Sequence, residues 1–305
     1  MTTTSPTALA RARSLELPSR DEMLRRDPAV QDFWLSNRQL LHDAWSEWET
    51  GPAGPGPLDA SLIHPDLREA VTNAWTEPST EAAVRSCWTQ VAPGVFQTQF
   101  FDPERLADLR RYLDLAADAQ IPLRPPYGIV LNRGGAMLDR RSEGYLAAPD
   151  FQAFYAEILD RYMRPIARLL YPEVVGFDTQ TFGFSINYQP STDTSIRPHT
   201  DASSVTLNIN MNLPDETYSG SAVDFFDPGT DTTTSLSFTP GSALIHRGHA
   251  PHMAHPITEG QRSNLVLWLY GDGMQTPRPG APAPSISPQQ RWTMPDTVPD
   301  GVAPF

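Results

Sequence analysis

After Pro172 the chain breaks into a train of short runs with strand character: TFGFSINY, SVTLNINMNL, AVDFFD, TSLSFT, SALIHR and SNLVLWLY. Turn-rich pieces such as PSTDTS, DPGTDT and TPGS separate them. Many short strands with turn signals between them close into a barrel or a sandwich, because open sheet edges are a liability. The clearest run begins at Val205. Val205, Leu207, Ile209, Met211 and Leu213 fall on one face, and Thr206, Asn208, Asn210 and Asn212 on the other. Such period-two alternation is a half-buried strand. A row of asparagines is unusual there, since strands avoid asparagine, so that face calls for hydrogen-bonding work.

The segment before Pro172 reads as helices. Asp27-Pro28 has the form of an N-cap with proline at the first helical position, and Trp34, Leu41, Trp45 and Trp48 recur at helical spacing towards Glu49. TGPAGPGP ends that helix, and a second covers part of 65–75. VFQTQFF reads as a strand over 95–101. Asp102-Pro103 then caps a helix whose buried stripe is Leu106, Leu109, Leu113 and Ala116. Phe154, Ile158, Tyr162, Ile166 and Leu169 mark a further helix, kinked at Pro165.

Helices first and strands after predict one β-barrel or sandwich with a helical layer packed outside it. We place a helical region of unassigned role at 1–90, a catalytic domain at 91–273 and a proline-rich tail at 274–305, the β core starting near 175. The N-terminal half is expected to be support and lid for the barrel. Eight of the 31 prolines follow Met274, so the tail is expected to lie extended on the surface or partly disordered.

Composition bounds the partners. A chain of 305 residues buries a large core, as one elaborate domain or as two. A net charge of -13 argues against wrapping nucleic acid. No apolar run approaches the roughly 18 residues of a membrane helix, and Arg11 and Arg13 interrupt the only candidate leader. Cys87 is the sole cysteine, which excludes an internal disulfide. The expectation is a cytoplasmic protein with neither membrane nor nucleic acid as partner.

His199 and Asp201 stand two apart just ahead of the asparagine strand, so in extended backbone both side chains leave one face. An imidazole and a carboxylate there make two adjacent corners of a metal site. The third corner has four candidates, His246, His249, His252 and His255, which are four of the chain's seven histidines. Two histidines and a carboxylate leave open positions on the ion, the arrangement of non-haem Fe(II) oxygenases. A polar loop with histidines as turn residues is the plain alternative. That alternative does not account for Arg262, which opens a strand with Arg262, Asn264, Val266 and Trp268 on one face and Leu265, Leu267 and Leu269 on the other. A guanidinium inside a barrel is costly unless an anion meets it, and its fork suits a carboxylate.

Together these residues carry a resemblance. Residues 188–270 resemble the double-stranded β-helix core of the 2-oxoglutarate/Fe(II)-dependent oxygenases, nearest to the prolyl/lysyl hydroxylase branch. RPHTDASSVTLNINMNL is similar to the segment around the lysyl hydroxylases' first two iron ligands. In HRGHAPHMAHPITEGQRSNLVLWL the spacing of His252, Pro256, Gly260 and Arg262 is similar to the family's last strands, which selects His252 among the four. VAPGVFQTQFFDPERLADL resembles the strand-then-helix entry of this branch. YSGSAVDFF departs from the pattern, with Ser221 after Gly220 where the family usually has two adjacent glycines. Residues up to Arg85 carry no resemblance.

The resemblance implies a mainly β core with flanking helices, a jelly-roll, cupin-like barrel. It implies Fe(II) held by His199, Asp201 and His252, 2-oxoglutarate anchored by Arg262 and contacted by Asn208 and Tyr188, and O2 as oxidant. The implied reaction is hydroxylation of an unactivated C–H bond. Asp201 stands where halogenases of this superfamily have a small residue, which favours oxygen over halogen. The expected substrate is a small molecule, an amino acid or a natural-product intermediate. Desaturation, ring formation and protein side-chain hydroxylation use the same ligands. A non-oxidative cupin-like barrel holding structural zinc is the rival from another class. Met211 and Trp268 are expected in the core, and Arg197 either faces substrate or sits at an exposed strand end.

Overall fold

The asparagine strand lies at the heart of a two-sheet barrel. The computed structural model describes residues 6–25, 27–52, 54–126, 135–173, 181–191, 193–270 and 286–294. Helices come first: α1 (Ala8–Arg13), α2 (Arg20–Arg25), α3 (Pro28–Thr50), α4 (Pro65–Thr76) and α5 (Glu81–Ser86). The hairpin β1 (Thr89–Ala92) and β2 (Val95–Gln99) follows, then α6 (Leu106–Asp118), α7 (Pro149–Glu157) and α8 (Arg164–Leu170). The strand train is β3 (Thr181–Tyr188), β4 (Ile196–His199), β5 (Val205–Asn210), β6 (Ser219–Gly220), β7 (Val223–Asp227), β8 (Thr232–Leu236), β9 (Ser242–Arg247), β10 (His252–Ala254), β11 (Ile257–Glu259) and β12 (Arg262–Leu269). A last helix, α9, spans Pro288–Arg291.

The larger sheet runs β1-β2-β9-β5-β12-β3 and the smaller β4-β10-β7-β8, with β11 and β6 paired beside them. From β3 onward the chain passes repeatedly between the two sheets, and every strand pair is antiparallel. This is a double-stranded β-helix, the form of barrel that the resemblance implied. Alternation then assigns the faces. Val205, Leu207 and Ile209 of β5 and Leu265, Leu267 and Leu269 of β12 join the core cluster of α3, α4, α6 and α7. Phe182, Phe184, Ile186 and Tyr188 of β3 and Val266 and Trp268 of β12 face the barrel interior, against Val223 and Phe225 of the smaller sheet. The helical layer therefore covers one side of the larger sheet, and the asparagine face looks inward. Met211 and Trp268 are both buried, as expected of core residues.

Several expectations need correction. The helix expected after Asp102-Pro103 begins at Leu106, because Asp102 first accepts the N–H of Glu104 and tightens a separate turn. Its buried stripe takes Tyr112, while Leu113 is only half-buried. The irregularity tied to Pro165 lies just before it, as a π-helical stretch over Ile158–Met163 between α7 and α8. Proline lacks the N–H of a regular turn and crowds the carbonyl one turn back, which a widened turn relieves. Part of the tail is docked instead of extended. Ser287 and Gln290 close a capping box on α9, Trp292 is buried with its ring edge-on to Trp75, and Arg291 pairs with Glu81. The rest of the tail lies outside the described residues.

Candidate metal centre

Cross-strand register brings the polar residues of distant segments to one place. His199 closes β4 and His252 opens β10, and the two are direct antiparallel partners with ring centroids 4.3 Å apart. Asp201 follows β4 in a loop whose N–H bonds to the carbonyl of Gly248 at 2.8 Å. The loop approaches so closely there that a Cβ on Gly248 would meet the Ser203 carbonyl oxygen at 1.9 Å. Asp201 Oδ1 ends 3.6 Å from His199 Nε2 and 3.9 Å from His252 Nε2. One donor atom from each of the three lies within 4.8 Å of the others, so the trio could hold an ion.

The donor set fits a divalent cation. Nδ1 of His199 lies 2.8 Å from the Arg197 carbonyl and Nδ1 of His252 lies 2.9 Å from that of Ala250, so each ring donates on that side and turns its Nε2 to the centre, where a cation would take the place of any proton on it. Burial, followed by repulsion from His246, lowers His252 to about 4, which keeps the ring neutral at neutral pH. Burial also penalises a charged Asp201. Hydrogen bonds from His199 and Thr206 and the imidazoles of His246 and His252 outweigh that penalty and hold the carboxyl at about 2. Burial would lower His199 as well, but its bond to Asp201 prevails and raises it.

Arg262 opens β12 opposite Tyr188 on β3, in the same cavity as the trio. It is 1% exposed, and its Nε and Nη1 have no hydrogen-bond partner among the described residues. Its guanidinium lies 4.2 Å from the centre of the Tyr188 ring and 5.3 Å from that of Phe238. An orphaned buried fork beside a cation site fits an anionic ligand that spans the two. Asn208 lines the cavity too, one face-position along β5 from Thr206.

The remaining histidines separate cleanly. His249 is exposed, and His255 points away to Asp224, with Nε2 to Oδ2 at 2.7 Å. His246 does reach the cavity. It is 2% exposed, its Nε2 lies 3.8 Å from Asp201 Oδ2, and its ring centroid is 4.7 Å from that of His252. Arg197 is exposed at the strand end. Three residues that the sequence reading passed over also belong here. Thr206 bonds Asp201 Oδ2, Phe225 stacks on His252 at 5.3 Å, and Asn264 bonds Asn208. Thr206 was legible in principle, since it shares the inward face of β5 with Asn208. Phe225 needed the pairing of β7 with β10, which no local pattern reveals.

No family model matches the chain. It is 27% identical over 204 residues to the 2-oxoglutarate and iron-dependent oxygenase domain-containing protein ICU11 of Arabidopsis thaliana, covering 62% of this chain and 48% of that protein. It is 31% identical over 124 residues to procollagen-lysine,2-oxoglutarate 5-dioxygenase 1 of Rattus norvegicus, covering 39% of this chain and 16% of that protein. The chain spans about half the length of the first curated relatives it matches. A solved Pseudomonas putida prolyl-4-hydroxylase aligns at a TM-score of 0.42 and 14% identity, over 68% of this chain and 100% of that one. By sequence, then, this chain is similar to 2-oxoglutarate and iron-dependent oxygenase domain-containing proteins and, over a shorter stretch, to a procollagen-lysine dioxygenase.

Proposed function

We propose that the protein is an Fe(II)- and 2-oxoglutarate-dependent dioxygenase that hydroxylates an unactivated C–H bond. The observation that carries this reading is Arg262, a buried guanidinium with two nitrogens unpaired among the described residues, in the cavity of a His–Asp–His cluster. His199, Asp201 and His252 would hold the iron, and Arg262 would take the distal carboxylate of 2-oxoglutarate. Iron with 2-oxoglutarate and O2 supplies the oxidation, coupling decarboxylation of the keto acid to attack on the substrate.

The chain's own residues bind, orient and exclude water. Thr206 occupies Asp201 Oδ2, so Oδ1 is the oxygen left towards the two histidines. The carbonyls of Arg197 and Ala250 fix both rings by their Nδ1 atoms. Tyr188, 5% exposed, and Phe238 shield the guanidinium, where a low local dielectric strengthens any carboxylate pair it makes. The carboxylate at position 201 favours oxygen over halogen in the product.

Anaerobic titration with Fe(II) and 2-oxoglutarate tests the reading. The expected result is a weak visible charge-transfer band that needs both additions, with succinate formed once air is admitted. A protein that binds zinc and ignores 2-oxoglutarate would instead be the cupin-like barrel. Small-molecule substrates are separated from the protein substrate named by the procollagen-lysine relative by incubating metabolite and protein fractions in parallel and reading the oxygen mass gain.

A further inference from the structure

Asparagine amides can flip, so which end meets the cavity must be set by something that cannot. Here two backbone N–H groups set it. Ser263 N–H donates to Asn212 Oδ1 at 3.0 Å, while Asn212 Nδ2 donates to the Gln261 carbonyl at 2.6 Å. Asn212 N–H donates to Asn210 Oδ1 at 3.1 Å, which leaves Asn210 Nδ2 to donate, to Asn212 Oδ1 at 3.0 Å and to Asn264 Oδ1 at 3.3 Å. With its oxygen engaged, Asn264 turns its Nδ2 to Asn208 Oδ1 at 2.6 Å. Asn210, Asn212 and Asn264 are at most 2% exposed. Asn208 stands last in line, lines the cavity, and has no partner for its Nδ2 among the described residues.

We propose that Asn264 is a positioning residue. It relays a fixed hydrogen-bond polarity so that Asn208 can offer the cavity N–H donors and never its oxygen. This rests on the oxygenase reading for the ligand, an anionic 2-oxo acid, and adds the device that orients one of its contacts. An amide turned the wrong way would set an oxygen against an anion. The relay therefore selects acceptor-bearing ligands from behind the site, since Asn264 itself does not line the cavity.

Asn264→Asp reverses the relay, because a carboxylate cannot donate to Asn208 Oδ1 and draws its Nδ2 inward. Asn264→Leu, similar in size and uncharged, releases Asn208 without reversing it and carries the test if the aspartate variant fails to fold. In protein loaded with Mn(II), calorimetric titration should find 2-oxoglutarate binding weakened roughly tenfold or more by Asn264→Asp and less by Asn264→Leu, with Mn(II) affinity unchanged. In an Asn208→Ala background neither change should matter further. An effect of equal size in that background would mean that residue 264 acts by another route, such as its charge near Arg262, and would overturn the relay.

A ligand-free readout separates this from the oxygenase reading. The Asn208 side-chain amide protons, identified in nitrogen-15 spectra by their loss in Asn208→Ala, should exchange fast in the wild type and slowly in Asn264→Asp. Protection already present in the wild type overturns the relay. Wild-type protein that takes Mn(II) but not 2-oxoglutarate overturns the oxygenase reading, while amide exchange still decides the relay.

Discussion

Thr206 donates its hydroxyl to Asp201 Oδ2 at 2.6 Å, across a loop that joins two strands of opposite sheets. The bond occupies Oδ2 and leaves Oδ1 turned to His199 and His252, so it helps decide which oxygen meets the histidines. Thr206→Val keeps the shape and removes the donor. Loss of such a supporting bond typically weakens metal binding by about 10- to 100-fold. Titration with Co(II), followed by absorbance, should find that loss. Unchanged affinity would assign the orientation of Asp201 to its backbone bond with Gly248 instead.

The ligand assignment predicts a sharp division among the histidines. His199→Ala, Asp201→Ala and His252→Ala should each abolish turnover and strongly weaken Fe(II) binding. His249→Ala and His255→Ala should keep the metal, since one is exposed and the other bonds Asp224. Metal content by elemental analysis decides it, and iron lost from His255→Ala but retained in His252→Ala would reverse the assignment.

Arg262→Leu should keep the fold and the metal but bind 2-oxoglutarate poorly. Removing one charge-assisted partner of this kind costs about 2–5 kcal/mol, or roughly 30- to several-thousand-fold in affinity. A monocarboxylate 2-oxo acid lacks the distal group and should bind wild type weakly and be hurt little by the substitution. Calorimetry of both ligands with both proteins checks this, and equal 2-oxoglutarate affinity would make Arg262 a structural residue.

Ser221→Gly should stabilise the protein. Ser221 has φ +57° directly after Gly220 at +77°, and its buried hydroxyl has no partner among the described residues. A left-handed backbone strains any side chain, and an orphaned hydroxyl adds a desolvation cost. Glycine loses more chain entropy on folding, yet the net gain should be about 1 kcal/mol. A higher urea midpoint at unchanged slope would register it.

Docking of the tail should depend on acid. Burial alone would raise Glu81, but its bonds from Arg291 and Trp292 prevail and hold it below the ordinary 4.5. A depressed folded value means that the stabilisation is complete above pH 4.5 and fades as pH falls through the folded value. Glu81→Gln should weaken docking by about 1–2 kcal/mol at neutral pH and remove the acid step. Hydrogen exchange over 286–294 reads both effects, and a step that survives in Glu81→Gln would place its origin elsewhere.

Period-two alternation made both faces of β5 and β12 legible, and the resemblance, through the family's spacing to Arg262, selected His252 among four histidines. Other elements were opaque for physical reasons. β4, β10 and β11 are three or four residues long and carry histidine, proline or glutamate, so only pairing across the barrel makes them strands. The asparagine relay was half visible. The sequence displayed the row on β5, but Asn264 enters from β12, and its diagonal reach to Asn208 depends on a register that pairs it with Asn210. Trp292 sits in a proline-rich stretch whose composition speaks for an extended chain, and a single aromatic anchor overrides it.

β5 and β12 have no spare side. One face of each is wedged under the helices and the other furnishes the cavity. Adding or deleting one residue within either strand would exchange the two faces, pushing asparagines under the helices and leucines towards the His–Asp–His cluster. Folding and chemistry would fail together, so these strands are closed to length variation. Insertions that this lineage tolerates must therefore gather in the hairpin ends and loops, such as 214–218 and 228–231, where a change in length leaves both faces in place.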